Sequence, residues 1–280
     1  AIRFVPGDGT VFVFGLTVCD LTANPLRWDV RAKMRLELPP GTRPEPGRED
    51  DCLSIDLGQV ISVSRALDYD HAHWTESYGN KRPAATAGAW IVEYTAHPDA
   101  QLYLGDQRET AVKPADLQDR LAMGNSAVLT TIPRAERQVT LRVVDKGTGR
   151  PVPVRIHLHG QAGEYLPPLN RHRIPNPFWF EDNGADYVHG EHFCTYIDGE
   201  AEFKLPLGPV FVEVTKGFEI KPRRLVFTVD ERTDVLTVEL ERVLPWRERG
   251  WVTADTHVHF LTPQTALLEG GAAGVNVVNV

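Results

Sequence analysis

The amino-acid sequence predicts a mainly β protein: two antiparallel β-sandwich domains, over residues 1–136 and 137–243, followed at 244–280 by a single β-α-β unit. Three observations lead there. Runs rich in Val, Ile, Phe and Thr recur along the chain, divided by Gly-, Pro- and Asp-rich punctuation. One of these runs, Arg27–Leu38, alternates apolar and polar residues, the period of a strand with one buried face. Only the last stretch changes character, to strand, helix and strand, the building block of a parallel sheet or barrel.

In the first unit, Thr10–Cys19, Arg27–Leu38, Ala89–Thr95 and Ala127–Ile132 read as strands. Within Arg27–Leu38, the residues Trp28, Val30, Ala32, Met34, Leu36 and Leu38 alternate with charged or polar ones, which fits period two better than 3.6. The tract Pro39–Asp51 carries four prolines and reads as a mobile surface loop. One helix is expected here: Pro114 suits a first helical position, Leu117, Leu121 and Ala122 make a small apolar stripe, and Gly124 suits the stop.

The second unit starts near Arg137. Gln138–Val144 and Val152–His159 are strands around an Asp145–Gly149 turn, and Glu200–Leu205, Val210–Thr215, Leu225–Val229 and Val235–Glu241 follow with short turns between them. Short strands at regular intervals predict a small antiparallel sandwich. In the third region Trp251–Phe260 reads as a strand, Pro263–Ala273 as a helix and Val275–Val280 as a strand. One such unit cannot close a domain, so the sequence is expected to stop inside a third domain.

Composition excludes several function classes. The 280 residues carry 30 Lys and Arg against 38 Asp and Glu, a formal charge of -8, without a dense basic tract, which argues against a nucleic-acid partner. No apolar run approaches the roughly 18 residues of a membrane span. Cysteine is confined to Cys19, Cys52 and Cys194, without a C-x-x-C pair, so neither a disulfide scaffold nor a cysteine-based zinc site is expected. The compartment stays open: cytoplasmic, or periplasmic or secreted if a leader was removed. A homo-oligomer stays open as well.

Ten histidines include three H-x-H pairs, His71/His73, His157/His159 and His257/His259, where random order gives roughly 0.35. Only the last pair has an Asp two residues before it, in Asp255-Thr256-His257-Val258-His259. On a strand, positions 255, 257 and 259 share one side, here at the carboxyl end before a β-α turn, where α/β proteins place reacting groups. Two neutral imidazoles there can share a divalent ion, and Asp255 can orient one of them or bind the ion itself.

The text Gly250-Trp251-x-x-x-Asp255-Thr256-His257-Val258-His259, directly after a β-rich unit, resembles the entry to a PHP-type metallohydrolase domain, and within it the CehA/McbA, carbaryl-hydrolase-like group. Gly149–Arg155, Asp198-Gly199-Glu200, Leu205–Gly208 and Lys216–Glu219 look like that group's sandwich domain, which is similar to carboxypeptidase-regulatory or prealbumin-like modules. The resemblance covers roughly residues 137–280. It implies the first β-α-β unit of a distorted (β/α)7 barrel holding one to three ions of zinc, manganese or iron, with His257 and His259 as metal ligands and Asp255 in a catalytic supporting role. The implied reaction is hydrolysis of a small-molecule ester, carbamate or phosphoester by metal-activated water. The remaining ligands would lie beyond Val280, so the chain alone is expected to be inactive.

Other candidates carry less. Leu67–Trp74 offers Asp68, Asp70, His71 and His73 but no ligand set of known spacing, and reads as a solvated loop. His157 and His159 fall on the polar face of their strand. The long stretch Gly160–Phe193 reads as a loop pinned by its aromatics, with a cover over the metal site as the functional alternative and His189-x-x-His192 as a weak ligand pair. No serine-hydrolase elbow or phosphate loop is present. The rival reading, from a different class, is a β-sandwich binding or structural module for a carbohydrate or protein surface, without catalysis.

Overall fold

The computed structural model describes residues 7–8, 31–39, 53–76, 83–105, 107–124, 127–169, 187–189, 192–259 and 261–279. The expected strand Thr10–Cys19, the Pro39–Asp51 loop apart from Pro39, and most of the 160–193 stretch beyond Leu169 lie outside these residues, as do Cys19 and Cys52.

The first β unit contains β1 (Ala32–Glu37), β2 (Leu53–Ile55), β3 (Gly58–Asp68), β4 (Ala84–Ala96), β5 (Leu102–Leu104), β6 (Gln107–Val112), β7 (Arg120–Met123) and β8 (Ala127–Thr131). One sheet has the order β3-β4-β1-β8-β7 and a smaller one β2-β5-β6. The alternation read in the sequence sets the register. Met34 faces Val92 across β1 and β4, and Leu36 faces Trp90 on one side and Leu129 on the other. These side chains are buried together with Leu53, Leu102 and Leu104 of the smaller sheet, so both sheets share one core.

The expected helix at 114–124 is absent. Pro114–Asp116 makes a single 3-10 turn, and Arg120–Met123 instead pairs with Ala127–Thr130 in a hairpin turning at Gly124. The two or three apolar residues of the proposed stripe were too few to hold a helix, and the ladder to β8 satisfies the same backbone groups.

The second unit comprises β9 (Arg137–Asp145), β10 (Pro153–His159), β11 (Tyr187–His189), β12 (His192–Asp198), β13 (Glu200–Leu205), β14 (Gly208–Thr215), β15 (Arg223–Val229) and β16 (Val235–Leu240). Its sheets run β11-β12-β10-β14-β15 and β13-β9-β16. Period-two burial is clearest in β16, where Leu236, Val238 and Leu240 turn inward. They meet Val139, Leu141 and Val143 of β9, Phe203 and Leu205 of β13, and Val154, Ile156 and Leu158 of β10. The sandwich is antiparallel except at one place: β16 runs parallel to β9. It arrives from β15 in the opposite sheet, and such a crossover does not require the reversal that a hairpin imposes.

The third region is smaller than expected. Its strand β17 spans only Ala254–Asp255 and pairs in parallel with β18 (Val277–Val278) across the helix α1 (Pro263–Ala272). One two-residue pair does not make a barrel. Thr262 and Thr265 cap the helix reciprocally, Thr262 Oγ1 accepting from the Thr265 amide at 3.3 Å and Thr265 Oγ1 from the Thr262 amide at 2.9 Å. At its far end, Lys216 donates to Gly271 O at 2.6 Å and to Pro153 O at 2.8 Å, tying a helix-terminal carbonyl to the sandwich. Gly217 follows with φ +54, and a Cβ there would stand 2.6 Å from Ala273 O. Burial, reinforced by Arg247 and Arg242, pushes the Lys216 ammonium down to about 8.

Phe203→Ala should lower stability by about 3–5 kcal/mol, a full core truncation, read as a shifted midpoint in urea unfolding. Lys216→Met should reduce hydrogen-exchange protection of α1 while leaving β9 and β16 protected. The unfolded chain holds the Lys216 proton up to its ordinary 10.5, so this residue's contribution to stability should grow as pH rises from about 8 toward 10.5.

Candidate functional site

His257 and His259 lie beyond the end of β17, both exposed. Their Nε2 atoms approach to 2.7 Å, with the rings edge to face at 4.4 Å. Asp255 is turned back on the chain: its Oδ1 accepts from the His257 backbone amide at 3.2 Å. Among the described residues no three His, Cys, Asp or Glu side chains come together to hold a metal ion. Two imidazoles by themselves supply fewer than the three or more protein ligands of a catalytic centre.

The other histidine pairs meet elsewhere, and here the fold departs furthest from the sequence. Since Val154, Ile156 and Leu158 fill the sandwich core, His157 and His159 point outward, yet His159 is 0% exposed and His157 only 2%. The segment 69–76, leaving β3 of the first unit, covers them. Tyr69 stacks on His159 at 3.8 Å and His71 stacks on Phe211 of β14 at 3.9 Å. Trp74 meets His159 edge-on and donates from Nε1 to Leu225 O at 3.1 Å.

The three imidazoles are linked in series. His71 Nε2 lies 3.1 Å from His159 Nε2, His159 Nδ1 lies 2.9 Å from His157 Nε2, and His157 Nδ1 bonds the Phe193 carbonyl. An ion pair closes the far side, Arg224 to Glu213 at 2.5 Å, with the guanidinium 4.2 Å over the Trp74 ring. Burial, aided by the Glu213 carboxylate and opposed by Arg224, pushes the Tyr69 phenol above its usual range. Burial also lowers the His71 imidazole, outweighing Asp68 and Asp70. The loop reading of Leu67–Trp74 therefore holds only for its outer residues: His73 pairs with Asp70 at the surface, while Tyr69 and Trp74 are buried.

A second contact joins the same two units. Lys33 of β1 donates to Tyr165 O at 2.6 Å. Gly163 adopts φ +80, and a Cβ there would stand 2.8 Å from Leu67 O, so only glycine lets the two backbones come this close. Beside it Glu164 is buried and accepts from the Ala162 amide at 3.0 Å, and burial raises its carboxyl.

The third feature is exposed. Phe218, Trp246, Trp251 and Val252 line a pocket of about 290 Å³. Trp251 is 64% exposed, Val252 65% and Phe218 58%. Several polar groups around it make bonds within the chain. Glu219 is bound by Arg242 and Arg247, while Asn276 Oδ1 accepts from the Thr253 amide at 3.1 Å and from its hydroxyl at 3.0 Å. Sequence reasoning passed over Tyr69, Phe211, Trp74 and Trp246. The aromatic density of Leu67–Trp74 was the available signal for the junction, but no local pattern says that this segment docks on a strand ninety residues later.

No family model matches the chain, and no curated protein matches it. Solved structures with some likeness are pilins. The group B streptococcus pilus 2b backbone protein is 11% identical with a TM-score of 0.28, over 75% of this chain and 86% of its own. A streptococcal ancillary pilin is 13% identical at 0.24, over 76% of this chain and 57% of its own. BcpA, the major pilin subunit of Bacillus cereus, is 11% identical at 0.24, over 76% and 60%. Scores this low do not establish a shared fold.

The resemblance to the CehA/McbA group and the PHP superfamily is therefore withdrawn. No family model matches the chain, and the two-residue β17–β18 pair makes no barrel unit. With it goes the hydrolysis of an ester, carbamate or phosphoester. Asp255 accepts from a backbone amide, and the described residues bring no third ligand to His257 and His259.

Gly163→Ala should destabilise the protein by about 1–2 kcal/mol from the left-handed backbone alone, with more from the clash at Leu67 O. Urea unfolding beside the wild type measures it, and an unchanged midpoint would show that the two units do not depend on this contact.

Proposed function

We propose that the chain is a structural β module that presents an apolar face to a protein surface. We also propose residues 1–136, 137–243 and 244–280 as its successive units. The observation that carries this reading is the pocket of Phe218, Trp246, Trp251 and Val252, apolar and exposed inside a rim of already paired polar groups. Exposed apolar clusters of this kind mark contact sites. A sugar would need several convergent hydrogen-bonding groups, whereas Glu219 and Thr253 are turned toward their own chain. A protein surface needs mainly apolar area, and aromatic side chains supply most of it. The described residues contain no helix long and apolar enough to cross a membrane.

Asp255, His257 and His259 enter this reading as a surface pair of imidazoles with a neighbouring carboxylate. The two imidazoles would take a divalent ion such as zinc, manganese or iron weakly, leaving two positions of a tetrahedral shell to other groups.

The apolar dye anilinonaphthalene sulfonate should bind the native chain saturably, and Trp251→Ser combined with Phe218→Ser should remove most of that binding without shifting the melting temperature. Chito- and cello-oligosaccharides should leave tryptophan fluorescence unchanged. A saturable sugar response, lost in the same double variant, would replace the protein-surface reading with carbohydrate binding. Calorimetric titration with zinc should show at most weak binding, abolished by His257→Ala with His259→Ala.

A further inference from the structure

The three imidazoles between the β units form a chain whose proton positions are dictated by its end. A carbonyl only accepts, so the bond to Phe193 O places a proton on His157 Nδ1. If His157 is neutral, its Nε2 accepts, and His159 Nδ1 must carry the next proton. Neutral His159 then accepts at Nε2, and His71 donates from Nε2. One added proton can be placed anywhere along the chain by shifting tautomers beyond it. A second cannot: somewhere an N–H would face an N–H across about 3 Å, in a site where both inner rings are buried.

We propose that this chain is a pH-responsive clasp, holding segment 69–76 against β10 and β14 while it carries at most one proton and releasing it on acidification. Among the described residues, the charged groups near the chain are already engaged. From its own segment His71 faces Asp68 and Asp70, and Asp70 is already paired with His73. From β14 and β15 come Glu213 and Arg224, bound to each other. The 160–166 segment contributes Tyr165, stacked on His157, and Glu164, turned to the Ala162 amide. From β12 come the Phe193 carbonyl and the buried Cys194. Once the segment is undocked, all three imidazoles titrate near their ordinary 6.5, so the open form binds at least two more protons than the closed one. Stability of the closed form is therefore complete above that value and falls as pH drops through it.

The test has two readouts on the whole chain. Histidine side-chain nitrogen NMR at pH 7.5 should find the proton on Nδ1 of His157 and His159 and on Nε2 of His71. Hydrogen exchange, corrected for intrinsic rates, should show protection of 69–76 falling about 100-fold from pH 7.5 to 5.5, about tenfold for each excluded proton. Amides of β9 and β16 should change far less. His71→Gln can donate to His159 or, with its amide flipped, accept from it, so the closed form still carries one added proton while the open form loses one titrating ring, and the fall should shrink to about tenfold. His73→Gln, at the surface, should leave the full response. A Nε2 proton alone on His157, pH-independent protection, an equal loss across both units, or an undiminished response in His71→Gln would each overturn the proposal.

Discussion

The covering of β10's outer face by the segment 69–76 is the constraint on which the arrangement of the two β units depends. A sandwich strand has two faces, and the inner one here is filled by Val154, Ile156 and Leu158. The outer one carries His157 and His159, which water would ordinarily solvate. Docking of Tyr69, His71 and Trp74 takes both imidazoles out of water, and their hydrogen-bonding capacity must then be met inside the protein. The serial bonds from His71 through His159 and His157 to the Phe193 carbonyl meet it. Aromatic stacking on Tyr69 and Phe211 supplies the apolar area that favours the docked state.

The remaining contacts between the units follow from that docking. Once segment 69–76 lies on β10, the end of β3 passes close to the 160–166 turn, and Gly163 allows the approach to Leu67 O. Lys33 reaches Tyr165 O from the neighbouring strand. The ion pair of Glu213 and Arg224 lies against the Trp74 ring, where a lone charge would be costly and a paired one is tolerated. Polar residues at this junction are thus employed in joining parts of the chain. Apolar ones, Phe218, Trp251 and Val252, stand at the surface beside the half-buried Trp246. This inversion of the usual distribution separates an internal joint from a face available for contact.

The DTHVH segment is locally rare, and among the described residues it meets no third metal-ligating side chain. His257 and His259 do converge, as their spacing implies. A hydrolytic centre also needs ligands from other elements, and a sequence pattern of five residues contains no information about them. The short β17–β18 pair, held by Asn279 N–H to Asp255 O at 2.9 Å and by Lys216 at the end of α1, places the two histidines at the surface rather than in a closed site.

What the sequence determined by itself was whatever depends on neighbours a few residues away. Alternation in Arg27–Leu38 named the inward residues Met34 and Leu36, and turn residues marked most strand ends of the second unit. Local signals also misled where they were weak: the stripe after Pro114 gave way to the β7–β8 ladder. Tertiary structure alone decided the parallel pairing of β16 with β9, and that the polar face of β10 is buried while Trp251 is exposed. A strand's period says that one face must be apolar. It does not say what lies against the other, because that partner is set by packing between segments ninety residues apart.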